Sequence, residues 1–389
     1  MASTAAPVAT RAKPLAAPTA SVLRCAMESA TWRDLVDDVA AWDRLATEAV
    51  EPNPFLESWY LLPSLQAYDP QGHIRILRFD HGGKLAGILP VASQRRYYGK
   101  PIPHLSGWQH DNIFLGAPLV EAGREIEFWK ALLGWSDRNA GMALFLHLSQ
   151  MSLDGPLMSA LETVLATQAR EGALVRREER AILSSGMNAA EYRAAVFSSN
   201  KRKDLRRRSN RLAELGEVRF EWQDDASDIE RWCAQFLTLE ASGWKGEAGS
   251  AMVQDQAKRA VFTQSLTGAA ERDRLLRLAL LLNGEPVAML STFVTPPGAF
   301  GYKTAFDEDY SRFAPGILLE QEFMAVLDQQ RFDWCDSCAA TDHPVMNDIW
   351  RERRAIGKIS IAIGGKLRRQ LFKQLIRHER GQTALGVRQ

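Results

Sequence analysis

An α/β (α+β) chain with mixed, twisted sheets flanked by helices, in two modules, is what this sequence predicts, on three observations. Strand-like and helix-like patterns alternate along the chain from about residue 32. Two hairpins of the same design lie about two hundred residues apart. The 389 residues, 46% of them hydrophobic, suffice for two ordinary cores.

In chain order, residues 36–50 place Val39, Trp42, Leu45 and Ala46 on one side of a helix. Residues 74–79 alternate, Asp80, His81, Gly82 and Gly83 make a turn, and residues 85–91 return, which is a hairpin. Residues 275–282, the turn Asn283–Gly284 and residues 287–294 repeat that design. Gly83, Gly87 and Leu89 align with Gly284, Ala288 and Leu290, a match that either an internal duplication or shared turn chemistry produces.

Lys and Arg number 48 against 47 Asp and Glu, a balance that excludes a general nucleic-acid coat and confines any basic surface to a patch. Four irregularly spaced cysteines (Cys25, Cys233, Cys335, Cys338) make no disulfide scaffold and suit a reducing compartment. Cys335 and Cys338 have no second pair to complete a zinc site, so no metal is expected. Residues 1–30, rich in Ala, Pro, Ser and Thr, read as a disordered tail without a secretory signal. The densest apolar run, residues 275–282, is interrupted by Arg277 and falls short of a membrane span.

Three segments carry chemistry. Residues 301–320 read as a strand, a loop with Arg312 and a helix opening at Pro315–Gly316, whose free N–H groups suit an anion. Asn200 to Arg211 carries seven basic residues in twelve positions and stops before Gly216; it is either a solvated helix face or a site for a polyanion. Trp244 and Lys245, on a loop bracketed by Gly243 and Gly246, either line a ligand pocket or anchor an exposed loop.

The order of these motifs, continued by Phe332–Asp333–Trp334–Cys335 and Ile349–Trp350–Arg351–Glu352–Arg353, resembles the CelD/BcsL-type acyltransferases, a branch of the GNAT superfamily. The resemblance is strong over residues 198–354 and looser back to Trp32. It implies two GNAT modules, as in the Fem-type transferases, at residues 31–185 and 186–364, with the donor site in the second. The implied reaction is acyl transfer from acyl-CoA, as co-substrate, to a primary amine. The implied donor contacts are Arg312, Ala314, Gly316 and Ile317, and the implied substrate contacts Trp244, Lys245, Tyr302 and Tyr310. The catalytic candidates are Asp307 and Glu240 as bases, with His343 behind them, and Lys303 facing an acidic group of substrate or donor. One departure is plain: GNAT acetyltransferases carry a Gln/Arg-x-x-Gly-x-Gly/Ala loop here, and this chain has only Gly316 after Ala314–Pro315. An aminoacyl-tRNA donor, as in Fem-type relatives, is the alternative, and exopolysaccharide or cellulose assembly is the other role of such proteins.

Residues 366–380 alternate Leu367, Leu371 and Leu375 with Lys366, Arg368, Arg369, Lys373, Arg377 and Arg380, a basic amphipathic helix within a terminal segment 365–389. It reads as lying on an anionic membrane or docking on the protein itself. With the family's similarity to bacterial ceramide synthases, the membrane reading points to a lipid amine, a long-chain sphingoid base, as acceptor. The expected location is the cytoplasm, peripheral to the membrane's inner face, with nucleic acid disfavoured as partner because the basic run lacks interleaved aromatics.

Overall fold

The computed structural model describes residues 25–243, 249 and 251–378. The first half comprises β1 (Cys25–Ala30), α1 (Trp32–Leu35), α2 (Val39–Glu48), α3 (Ser58–Tyr68), β2 (Arg75–His81), β3 (Lys84–Gln94), β4 (His104–Gly107), β5 (Leu119–Val120), α4 (Glu125–Asn139), β6 (Phe145–Ser152), α5 (Pro156–Thr167) and β7 (Gly172–Leu183). The second comprises α6 (Ala189–Val196), α7 (Ser199–Ala213), β8 (Val218–Gln223), α8 (Ile229–Ser242), α9 (Gln256–Ala270), β9 (Leu275–Leu282), β10 (Glu285–Thr295) and β11 (Gly298–Phe306). It ends with α10 (Pro315–Phe323), α11 (Val326–Gln329), β12 (Trp334–Asp336), α12 (Pro344–Ile349), β13 (Glu352–Ala362) and α13 (Lys366–His378).

The strands form one mixed sheet in the order β1-β2-β3-β4-β6-β13-β7-β12-β11-β10-β9-β8, with β5 beside β3. From either edge the pairings run antiparallel three times, parallel once and antiparallel again, until β13 and β7 meet antiparallel at the centre. The order is thus two copies of one plan about a pseudo-two-fold axis. The hairpins β2–β3 and β9–β10 occupy matching places, where the aligned turns put them.

Two expectations need correction. A division at residue 185 leaves each half's sixth strand in the other: β7 pairs with β12, and β13 pairs with β6. Strand exchange of this kind has no local sequence signal, because both strands are ordinary in pattern. The tail, too, is shorter than 30 residues, since Cys25–Ala30 is an edge strand whose backbone pairs with β2 from Cys25 opposite His81 to Ala30 opposite Ile76. Small residues with one apolar side chain, Met27, hid it. Residues 1–24 of the expected tail lie outside the described residues.

Burial follows from strand position. All eight residues of β9 are buried, as expected of a strand covered on both faces. Leu275, Ala279 and Leu281 pack with Phe236 and Phe262 of α8 and α9, whereas Leu276, Leu278 and Leu280 pack with Leu319 and Phe323 of α10. At the C-terminus, α13 docks Phe372 (1% exposed) and Ile376 (8%) beside Phe145 and Tyr97, and leaves Leu367 (73%) and Leu371 (46%) outside. Of the two alternatives for this helix, docking on the protein thus holds for Phe372, Leu375 and Ile376, while Leu367 and Leu371 stay exposed. Among the described residues no helix is long and apolar enough to cross a membrane.

Candidate active site

The site begins where β11 and β12 stop pairing. Their parallel contact covers three steps, Gly298–Trp334, Ala299–Cys335 and Phe300–Asp336. On one side, Ser291 of β10 faces Lys303 while the next residue, Thr292, faces Gly301, so Tyr302 is the extra residue of a β-bulge that bends β11. On the other, Cys338 takes a left-handed conformation (φ 52°) and turns the chain away. The wedge between them opens into a cavity of about 560 Å³ lined by Gly301, Lys303, Phe306, Gly316, Cys338 and Trp350 among others. That volume is ample for a small-molecule site.

The open end of this groove is electropositive. Ala314, left-handed at φ 55°, caps α10, and Pro315 takes its first position, with no acid in the first turn. The N–H groups of that turn have no intrahelical acceptor and carry the positive end of the helix dipole. The expected glycine is absent here, yet the backbone adopts the conformation a glycine would favour. A Cβ on Gly316 would meet nothing closer than the Phe306 ring at 3.5 Å. Beside this turn lies α7, started by the Ser198 hydroxyl on the Lys201 N–H and anchored by buried Leu205 and Leu212. Arg208 Nη1 donates to the Arg312 carbonyl at 2.7 Å. Arg207, Arg208, Arg211 and Arg312 surround a cavity of about 390 Å³. Asp204 pairs with Arg207 and Arg208, at 2.6 and 2.8 Å.

The closed end meets a second cavity, of about 240 Å³, lined by Asp111, Gln150, Glu178, Arg180 and Thr341. The two cavities share Cys338 and Ala339. This smaller one lies on the pseudo-two-fold axis, where Glu178 of β7 faces Ile356 of β13. Under it, fully buried Asp336 binds Arg180 at 2.7 Å and Arg354 at 3.1 Å, and accepts the Cys338 N–H at 2.9 Å. Burial pushes the thiols of Cys335 and Cys338 well above their ordinary range, which leaves them un-ionised and poor nucleophiles.

The first half supplies one wall. Lys303 Nζ donates to Asn112 Oδ1 at 2.7 Å, and the Asn112 carbonyl accepts from the Tyr60 hydroxyl at 2.5 Å. The Lys303 ammonium also sits over the Phe114 and Tyr302 rings. Burial, and after it the Lys303 charge, push His110 down to about 3, so it is neutral at pH 7.

The sequence-derived candidates separate on this map. Lys303, Tyr302, Ala314, Gly316 and Ile317 line the groove, as does His343, whose Nδ1 lies 3.2 Å from the Met346 N–H. Arg312 lies in the arginine-lined cavity at its open end. Two of the candidate bases stand apart from both cavities. Asp307 caps the turn after β11 by accepting the Asp309 N–H at 3.0 Å, and lines neither cavity. Glu240, 6% exposed, accepts the Met252 N–H at 2.9 Å across the loop after α8, and also lines neither. Acids next to turns are spent on backbone N–H groups. Tyr310 packs toward Phe313, outside the groove. Trp244 and Lys245 lie outside the described residues.

Sequence reasoning missed Asp111 and Asn112, which come from a loop of the other half, Glu178 and Arg180, which come on the exchanged strand β7, and Asp336, which ends β12 where it parts from β11. It also missed Glu320, whose carboxyl burial pushes up to about 7. The only trace of Glu320 in the sequence was an acid on the apolar face of α10. Among the described residues no group of three or more His, Cys, Asp or Glu could hold a metal.

Residues 199–343 match the model of the acetyltransferase (GNAT) domain family. No curated protein matches the chain. Among solved structures, the chain is similar to FemX at 10% identity and a TM-score of 0.54, covering 91% of this chain and 100% of that one. It is also similar to a conserved protein of unknown function from Bacteroides thetaiotaomicron (11%, TM-score 0.53, 87% and 99% covered). A third is the C-terminal DUF2156 domain of an Agrobacterium fabrum protein whose assigned name is lysylphosphatidylglycerol synthetase (12%, 0.51, 90% and 98%). At these identities the three likenesses speak for the fold. The chain carries an acetyltransferase (GNAT) domain over residues 199–343 and is an acyltransferase, and its overall fold is similar to that of FemX.

Proposed function

We propose that the chain transfers an acyl group from an acyl-CoA to a primary amine. The observation that supports this most is the meeting of the two cavities at Cys338 and Ala339. One is a long groove ending at a helix N-terminus among arginines, suited to a thioester with a pyrophosphate at its far end. The other is a small polar pocket with Asp111 and Glu178, suited to an ammonium. The ammonium first gives up one proton; the amine nitrogen then attacks the thioester carbonyl, the C–N bond forms as the C–S bond breaks, and a second N–H proton goes to the leaving thiolate, giving an amide and a thiol. The protein's part is positioning, with Lys303 and Asn112 fixing the wall between the cavities. Glu178 and Asp111 stand nearest to receive the proton. The modules are read as the two halves of the sheet with their sixth strands exchanged.

The finer reading is a lipid amine, a long-chain sphingoid base, taken up at an anionic membrane surface on the cytoplasmic side. Its support is the outer edge of α13, where Leu367 and Leu371 stand exposed and Arg368 donates to the Gly141 carbonyl next to exposed Met142. Purified protein given acetyl-CoA, palmitoyl-CoA and a panel of amines including sphinganine should release free thiol only when an amine is present. Absence of thiol release with every pair would overturn the proposal. Release with short amines and none with sphinganine would remove the lipid reading alone.

A further inference from the structure

Helix α7 gathers more positive charge than a nucleotide needs. Asn200 to Arg211 holds seven bases and one acid, Asp204, in a chain whose net charge is +1. Asp204 pairs with Arg207 and Arg208, while Lys201, Arg202, Lys203, Arg206 and Arg211 are exposed and form no ion pair among the described residues. Like charges four residues apart, such as Arg202 and Arg206 or Lys203 and Arg207, repel one another, so the helix gives up stability to carry this face.

The two flanks of α7 differ. One is the arginine-lined cavity beside Arg312, at the open end of the groove. The other borders a separate depression of about 520 Å³ between α6, α7, β8 and α10, where apolar Leu205, Phe220 and Leu318 stand with Arg193, Arg202 and Arg206. Arg202 Nη1 donates to the Ala194 and Phe197 carbonyls at 2.8 and 3.0 Å, and Arg193 Nη1 to the Gln321 carbonyl at 3.3 Å, so two of these guanidiniums are fixed in advance. Phe220 is 36% exposed, and Leu215, just past the end of α7, is 46% exposed. Held arginines around exposed apolar side chains are the composition of a protein contact. The run from Asn200 to Arg211 has no aromatic on which a base would stack, which disfavours nucleic acid.

The groove says what such a partner brings. A pantetheine arm ends in phosphate whether it belongs to CoA or to a carrier protein. With that phosphate on the first turn of α10, the rest of the donor lies outside the groove, beside Arg312 and the Arg208 that is bonded to it. The groove also continues past Ile317 and Val345 into a recess that reaches Ser198 and Lys201 at the start of α7. A nucleotide occupies the arginine-lined flank and leaves the other bare, whereas a folded acidic domain covers both. We infer that α7 docks an acidic acyl carrier protein, whose phosphopantetheine arm enters the groove from this side, and that the chain takes its acyl group from this carrier in preference to free acyl-CoA. The bonds made and broken are those of the reaction above, and the thiol released stays on the arm. The inference rests on the thioester-donor reading; charge complementarity then sets the encounter rate and the partner.

The test loads a bacterial acyl carrier protein with a palmitoyl group and compares it with palmitoyl-CoA, by calorimetric binding and by kcat/KM with one amine acceptor. At low ionic strength the loaded carrier should be favoured by at least about tenfold in kcat/KM, and the margin should shrink as salt is raised. Lys203→Glu combined with Arg206→Glu, at exposed side chains outside the groove and the arginine-lined cavity, should abolish the margin and leave palmitoyl-CoA within about twofold. A carrier that neither binds nor reacts while palmitoyl-CoA reacts overturns the inference and leaves the donor reading standing; so does a preference that the double variant retains. Retention of tRNA or of phosphatidylglycerol vesicles by the parent, lost in the double variant while the carrier goes unrecognised, gives the face to that partner and overturns it too. Absence of thiol release from both donors with every amine of the panel overturns both readings. The parent comparison is decisive even if the variant fails to fold.

Discussion

The two halves of the sheet part their strands at the same place and do different things with the gap. In the second half, β11 and β12 diverge past Phe300 and Asp336, and the space is a groove of about 560 Å³. In the first, β4 and β6 pair at Leu105–Leu146 and Ser106–His147 and then part as well. A loop fills that gap. The Gly116 N–H bonds the Gln150 carbonyl at 3.0 Å, and a Cβ on Gly116 would fall 2.2 Å from the Ser149 carbonyl oxygen. Just past each divergence a non-glycine residue is left-handed, Gln150 at φ 53° and Cys338 at φ 52°. Both line the small cavity on the axis between them.

The helices that follow differ in charge. The first turn of α4 carries Glu125 and Glu127, which occupy the positive end of its dipole, whereas the first turn of α10 has no acid and follows directly on Arg312 and Phe313 of the arginine-lined cavity. The two copies of the strand plan are thus two frames, of which one presents a helix N-terminus free of acids. The other forms a wall: the filling loop brings Asn112 to Lys303 and Asp111 to the small cavity. On the proposed reading, one half holds the donor and the other shapes the place where it reacts.

The largest effect expected from breaking this division of labour is at the wall. Lys303→Met removes the bond to Asn112 that ties the halves at the site, and kcat should fall by about 10- to 100-fold while donor Kd, read by calorimetry, stays within about twofold. A drop in affinity with kcat intact would assign Lys303 to the donor instead. Replacing Arg207, Arg208 and Arg211 together with Gln should weaken the donor by roughly tenfold at low ionic strength, and by less as salt screens the attraction. A loss independent of salt would mean that the helix had moved.

The smallest effect concerns the buried carboxyl of the open half. Glu320 is held near 7 when folded, against an ordinary 4.5, so the folded state keeps a proton that the unfolded chain gives up between these values. Stability should fall as pH rises from about 4.5 to about 7 and level off above. Glu320→Gln should flatten that slope, and its gain over the parent at pH 8, on the order of 1–3 kcal/mol by urea unfolding, should vanish below pH 4.5. An unchanged slope would show that the carboxyl is solvated.

Much of the frame could be read from the sequence because period-2 hydrophobic runs and glycine turns are local signals. The hairpins at Gly83 and Gly284 and the helix opening at Pro315–Gly316 were visible in that way. The exchanged strands β7 and β13 were not, since an ordinary alternating pattern carries no record of which half it joins. The site divides likewise. Lys303, Gly316 and Ile317 lie in one continuous motif that the groove follows, while Asn112, Arg180 and Asp336 are brought in from distant segments by pairing. Asp307 and Glu240 could not be ranked from sequence, because an acid near the end of an element looks the same whether it serves chemistry or accepts a backbone N–H.

The claim that only the second half holds the donor is tested most directly by the stoichiometry of acyl-CoA binding in titration calorimetry, on the parent chain, Gly316→Glu, and Glu125→Gln with Glu127→Gln. A carboxylate at Gly316 competes with phosphate for the same N–H groups and adds like charge, and a Cβ at that position has room, so the fold should survive. The account predicts one donor per chain, affinity at least about 100-fold weaker in Gly316→Glu, and no second site in the glutamine variant. Two donors per chain, or one retained at full affinity in Gly316→Glu with normal circular dichroism, would contradict it.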